Sequence, residues 1–74
     1  MNRAATRERI MELGAEIRRQ RKDQGLSQDK LAKMISTDQA HIHRIEKGQH
    51  NPSIAMYIAI ADALDMELRD LITF

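Results

Sequence analysis

Apolar side chains recur at helical spacing along the chain, and nowhere do they alternate with a period of two. That pattern predicts an all-α fold. Over residues 4–24, Ile10, Leu13 and Ile17 form one stripe among charged residues, and Gly25 marks the stop, so this stretch reads as one long amphipathic helix. Residues 28–47, QDKLAKMISTDQAHIHRIEK, place Leu31, Ile35, Ile42 and Ile45 at helical spacing on either side of Ser36-Thr37-Asp38. Two short helices joined by a tight turn fit this arrangement. Ser27 and Asp38 stand where a side-chain oxygen can accept the free N–H groups of each first turn. Ala32 sits where the first helix must let the second cross closely, and Gly48 is placed to end the second in a left-handed conformation. After the loop His50-Asn51-Pro52, Ser53 caps a fourth helix with Ile54, Ile58, Ala61 and Leu64 on one face. Asp65-Met66 breaks it, and Glu67–Thr73 makes a short fifth helix that ends in Phe74. The expected architecture is a compact five-helix bundle.

The paired helices at 28–47 form a helix-turn-helix. The chemistry that needs such a unit is major-groove reading, in which one helix bears on the backbone while the next offers its N-terminal side chains to base edges. An αα-hairpin that merely packs in a core is the plainer alternative. The outward residues of the second helix, Gln39, His41 and Arg44, are all hydrogen-bonding types and favour reading. Gln39 and Ala40 fall in the first turn: Gln pairs with adenine N6/N7, and Ala40 suits a thymine methyl. Arg44, one turn beyond Ala40, is the natural reader of guanine O6/N7. His41 is assigned to a base edge or a phosphate. Gln28 opens the preceding helix, where its side chain and backbone N–H can hold a phosphate, and Ser27 sits beside it. Arg18 and Lys22 on the first helix, with His43, Lys47, Gln49 and Asn51, complete the expected phosphate-contacting and positioning set.

The sequence resembles the lambda-repressor and Cro-like (XRE-type) helix-turn-helix family of bacterial and phage regulators, from about Leu13 to Leu71. The resemblance rests on Leu13-Gly14, Ile17, Arg21, Gly25-Leu26-Ser27-Gln28, Leu31-Ala32, Ile42, Ile45-Glu46, Gly48, Asn51-Pro52-Ser53, Ala61, Ala63-Leu64 and Leu68. It implies a lambda-repressor-like DNA-binding bundle, with Gln28, Gln39, Ala40 and Arg44 on DNA-facing positions and a first helix that begins nearer Met11. It also implies that Arg21 reaches Glu46 in a partly buried ion pair that sets the tilt of the recognition helix. Three positions depart from the family pattern: Ser36 replaces the usual Gly, Thr37 the usual aliphatic residue, and Asp65 a frequent Gly. Serine in that tight turn is uncomfortable if its backbone is left-handed.

The length suits one domain over residues 1–74, with marginal stability of its own. There are no cysteines, which excludes disulfides and thiolate metal sites. No apolar run approaches the roughly 20 residues that cross a bilayer, so no membrane association is expected. Net charge is only +1. Its distribution is more informative: eleven Lys/Arg against seven Asp/Glu over residues 1–51, and one Arg against four acids over residues 52–74. Such a charge dipole turns the first three helices toward a polyanion. His41, His43 and His50 do not make a zinc set, since two residues apart on a helix means about 200° around the axis and cysteine is absent. No nucleophile–base or paired-carboxylate arrangement stands out. The chain is expected to be a non-enzyme with no cofactor, metal or small-molecule ligand.

The resulting expectation is a sequence-specific, double-stranded DNA-binding transcriptional regulator in the cytoplasm, associated with the nucleoid and homodimeric on a two-fold operator. It could serve a mobile element, control a restriction–modification system, or act as an antitoxin. The rival reading is an interaction module that neutralises a partner toxin and binds DNA secondarily. Tyr57, Met66, Ile72 and Phe74, in the acidic C-terminal part, are the expected dimer interface.

Overall fold

The computed structural model describes residues 3–74, with side chains from residue 4 onward. Its helices are α1 (Arg3–Asp23), α2 (Gln28–Met34), α3 (Gln39–Glu46), α4 (Ile54–Ala63) and α5 (Leu68–Leu71). No strand occurs among the described residues. Ser27, Asp38 and Ser53 cap α2, α3 and α4, each accepting the backbone N–H three residues on, from Lys30, His41 and Met56.

The helix ends are built alike. After α1, α2, α3 and α4 the chain passes through a left-handed residue: Gly25 (φ 71), Ser36 (φ 59), Gly48 (φ 71) and Asp65 (φ 56). At each, that residue and the next donate back to carbonyls of the last turn: Gly25 to Lys22 and Leu26 to Arg21, Ser36 to Lys33 and Thr37 to Ala32, Gly48 to Ile45 and Gln49 to Arg44, Asp65 to Asp62 and Met66 to Ala61. This is the Schellman motif, which satisfies carbonyls that the helix leaves free. Gln24 adds a long-range cap, its Nε2 donating to the Leu64 carbonyl at 2.7 Å.

The core is made by Leu13, Ile17, Leu31, Ala32, Ile42, Ile45, Tyr57, Ile60, Ala61, Leu64 and Leu71, all buried. Ala32 is a small buried residue on α2, the helix that packs against α3. Gly14 lets α1 approach the end of α3: a Cβ there would lie 2.3 Å from the Ile45 carbonyl oxygen. On the outer face of α1, Arg19 donates to Glu16 through Nε at 2.9 Å and through Nη2 at 2.6 Å. Those bonds, with one from Gln20, hold the Glu16 carboxyl below its usual range.

Three expectations change. The inner face of α4 is Tyr57, Ile60, Ala61 and Leu64, whereas Ile54 and Ile58 are exposed. The buried stripe follows the 57–60–61–64 spacing and shares only Ala61 and Leu64 with the expected face. The fifth helix is shorter than Glu67–Thr73: Glu67 caps it, and Ile72 leaves it with extended backbone (φ −94, ψ 102). The first helix runs from Arg3, in line with the stripe over residues 4–24, so the later start near Met11 that the resemblance implies does not hold.

Candidate nucleic-acid interface

Arg21 and Glu46 organise the site from below. Arg21 Nε donates to Glu46 Oε2 at 2.7 Å and Nη2 to Oε1 at 3.0 Å, a two-pronged pair with both side chains buried. The third nitrogen, Nη1, donates to the Leu26 carbonyl at 2.7 Å. One guanidinium therefore ties α1 to the turn before α2 and to the last turn of α3. Among the described residues no buried side-chain nitrogen or oxygen is left without a partner.

A chain of hydrogen bonds continues outward from this pair. Gln28 Nε2 donates to Glu46 Oε1 at 3.0 Å, and Gln28 Oε1 accepts from Gln39 Nε2 at 2.6 Å. The first residues of α2 and α3 are thus joined to each other and to the ion pair, which restrains the rotamer of Gln39 before any ligand arrives. His43 Nδ1 lies 3.5 Å from Gln28 Nε2. The sequence alone does not reveal the links among these residues. Their one visible signal is that Gln28 and Gln39 each open a helix.

Around this network the structure gathers Arg18, Gln28, His43, Glu46 and Lys47 in a cleft of about 120 Å³. Arg18, Lys22 and Lys47 share the adjoining groove with Arg19. Because Arg21 already balances the Glu46 charge, Arg18, Lys22 and Lys47 leave this surface cationic. Gln39, Ala40, His43 and Arg44 are exposed on α3, and His41 is half-buried. Ser27 is exposed, with its hydroxyl used as the α2 cap. Gln49 is exposed just past Gly48.

Asn51 is not part of this cluster. Its Oδ1 accepts from the Tyr57 hydroxyl at 3.0 Å, and it lines a separate groove with Thr6, Arg9, Ile10, Leu13, Tyr57 and Phe74. Tyr57, expected at a dimer surface, lies in the core instead. Its ring is buried in the core with its hydroxyl satisfied, and burial raises its pKa, so it stays a neutral donor. Met66 is half-buried against the core, while Ile72 and Phe74 are exposed. The Arg9 guanidinium lies over the Phe74 ring, 5.5 Å from its centroid.

Residues missed from sequence also include Thr37 and His50. Thr37 Oγ1 lies 2.8 Å from His41 Nδ1, and the His41 and His50 rings are 4.9 Å apart at 56°. Among the described residues no group of three or more His, Cys, Asp or Glu could hold a metal ion, and no helix is long and apolar enough to cross a membrane.

A capped helix pair with a tight turn, a buried ion pair beneath it and an outward basic surface define a helix-turn-helix of the DNA-reading type. Comparison with known proteins agrees. A family model described as helix-turn-helix matches residues 17–71. An uncharacterised HTH-type transcriptional regulator of Methanothermobacter thermautotrophicus is 39% identical over 51 residues, 69% of this chain and 74% of that protein. Another from Archaeoglobus fulgidus is 34% identical over 58 residues, 78% and 83% of the two. Among solved structures, the restriction-modification controller protein C.AhdI from Aeromonas hydrophila superposes with a TM-score of 0.81 at 35% identity, covering 84% of this chain and 94% of that one. The clp gene regulator ClgR from Corynebacterium glutamicum has the same fold, with a TM-score of 0.80 at 24% identity over 82% of this chain and 65% of that one. The chain belongs to the lambda-repressor and Cro-like (XRE-type) helix-turn-helix family, whose members are DNA-binding transcriptional regulators and not enzymes.

Proposed function

We propose that residues 1–74 work as one sequence-specific, double-stranded DNA-binding domain that regulates transcription in the cytoplasm as a homodimer on a two-fold operator. The observation that carries this reading is the exposed face of α3. Gln39, Ala40 and Arg44 are uncovered there, and Gln39 is already held by Gln28. In this reading Gln39, Ala40, His41 and Arg44 meet base edges. Gln28, Arg18, Lys22, His43 and Lys47 meet phosphates, with Ser27 and Gln49 at the margin. The acidic residues Asp62, Asp65, Glu67 and Asp70 gather around α4 and α5, and repulsion by phosphate keeps that part outward. Two copies are required because one such unit reads too few base pairs to stand out among a genome's competing sites. Likeness to a restriction-modification controller over 94% of its chain favours a controller of that kind over a toxin-neutralising module.

Selection from a pool of duplexes with a randomised core tests the function. The expected product is a two-fold motif whose half-sites are about one helical turn, or a multiple of it, apart. Binding without enrichment of any sequence would contradict it.

A further inference from the structure

Thr37 stands where this chain departs from its family's usual aliphatic residue, and its hydroxyl lies 2.8 Å from His41 Nδ1. Thr37 and His41 are both half-buried, and Thr37 immediately precedes Asp38, the α3 cap. Asp38 Oδ1 accepts the His41 backbone N–H at 2.8 Å, so the main chain of His41 is fixed as well. On another side the His50 ring, from the loop after α3, packs at 4.9 Å between centroids and 56° between planes. An imidazole has two polar atoms, and the partner of one decides what the other offers. With Nδ1 held by Thr37, Nε2 is the atom left for a ligand.

We propose that Thr37 is a positioning residue for DNA recognition, acting with His50 to hold the His41 imidazole so that Nε2–H donates to an acceptor atom of the bound duplex. The Thr37 hydroxyl donates to Nδ1, which selects the Nε2–H tautomer. The acceptor is either a base-edge atom, such as guanine O6 or N7 or thymine O4, or a phosphate oxygen. The contact needs the threonine hydroxyl, because an aliphatic residue at position 37 has no proton to give. It explains why a polar side chain occupies a half-buried turn position next to the recognition helix. The proposal rests on the reading of α3 as the DNA-facing helix.

The test compares wild type with Thr37→Val, Thr37→Ser, His41→Ala and His50→Ala on the duplex selected by wild type and on single-base variants of it. Thermal melts confirm that each variant is folded. Thr37→Val keeps the shape but loses the hydroxyl, so binding weakens about three- to tenfold, the worth of one hydrogen bond. Thr37→Ser restores it. His50→Ala gives a smaller loss, about twofold. In a double-mutant cycle, Thr37→Val adds nothing once His41 is Ala. If the Thr37→Val loss is confined to one base position, the acceptor is a base edge; if it is uniform across sequences, the acceptor is a phosphate. Either pattern supports the proposal. Wild-type binding by Thr37→Val and His50→Ala overturns it, as does additivity of Thr37→Val with His41→Ala. Arg44→Ala in the same assay separates this failure from failure of the functional reading. Loss of base preference there, with Thr37→Val unchanged, leaves the function standing and removes Thr37. A wild-type protein that selects no motif removes both.

Discussion

At Arg21 three separate parts of the chain meet one side chain: the α1 helix that bears it, the Leu26 carbonyl and the Glu46 carboxylate. Removing one member of a buried ion pair leaves the other charged and unpaired, at a cost of about 3–5 kcal/mol. Glu46→Ala should therefore lose stability on that scale in urea denaturation, and a cycle with Arg21→Ala should show strong coupling. Additive effects would mean the pair carries no specific energy. The residues are 25 apart in sequence, so no local pattern reveals their contact; only the resemblance suggested it. The turn residues were easier. Serine is uncomfortable in the left-handed region, and the Ser36 φ is 59. A non-glycine residue there costs roughly 1–2 kcal/mol, partly offset by the greater chain entropy of glycine. Ser36→Gly should thus stabilise by about 0.5–1 kcal/mol, raising the melting temperature by a few degrees. Asp65→Gly should give less, since aspartate tolerates this region better than serine. An equal or lower melting temperature for Ser36→Gly would contradict the argument.

For the elements, capping chemistry made the boundaries legible. Ser27, Asp38 and Ser53 mark three helix starts, and Gly25 and Gly48 mark two ends. Periodicity was a weaker guide to which face of α4 is buried. That helix, IAMYIAIADA, is apolar almost all round, so several stripes satisfy a helical spacing. The choice of 57–60–61–64 over 54–58–61–64 comes from what α4 packs against. At the α1–α3 crossing the decisive residue is Gly14, whose missing side chain lets the backbone of one helix touch the carbonyls of the other. Gly14→Ala has no room: the carbonyl oxygens of Ile45 and Glu46 would lie 2.3 and 2.8 Å from the new methyl. Overpacking of this kind costs about 1–3 kcal/mol. The displaced α1 would also pull on Arg21, so DNA affinity should fall along with stability. A stable Gly14→Ala protein with unchanged affinity would show that the helices separate freely.

In the whole molecule, the charge dipole and the all-α class are readable from the sequence, whereas a surface fit to join two copies is not. Tyr57 was expected there and lies in the core, because an aromatic ring on a short apolar helix reads alike from sequence whether it faces inward or outward. Ile72 and Phe74 remain exposed, at 44% and 51%. A homodimer through these residues should be lost in the Ile72→Asp, Phe74→Asp double variant. Sedimentation at micromolar concentration should show a dimer for wild type and a monomer for the variant. A dimeric variant would move the interface elsewhere, with Ile54 and Ile58, also exposed, as the next residues to change.

If α3 reads sequence while the basic surface beside it supplies affinity, the two roles separate most directly in one experiment: binding of Arg44→Ala and Lys47→Ala to the wild-type selected duplex, to its single-base variants and over a range of salt. Arg44→Ala should lose about 1–3 kcal/mol and relax the preference at one base position. Lys47→Ala should weaken every duplex alike and flatten the salt dependence by about one phosphate contact. An Arg44→Ala protein with the full wild-type base preference would contradict the account.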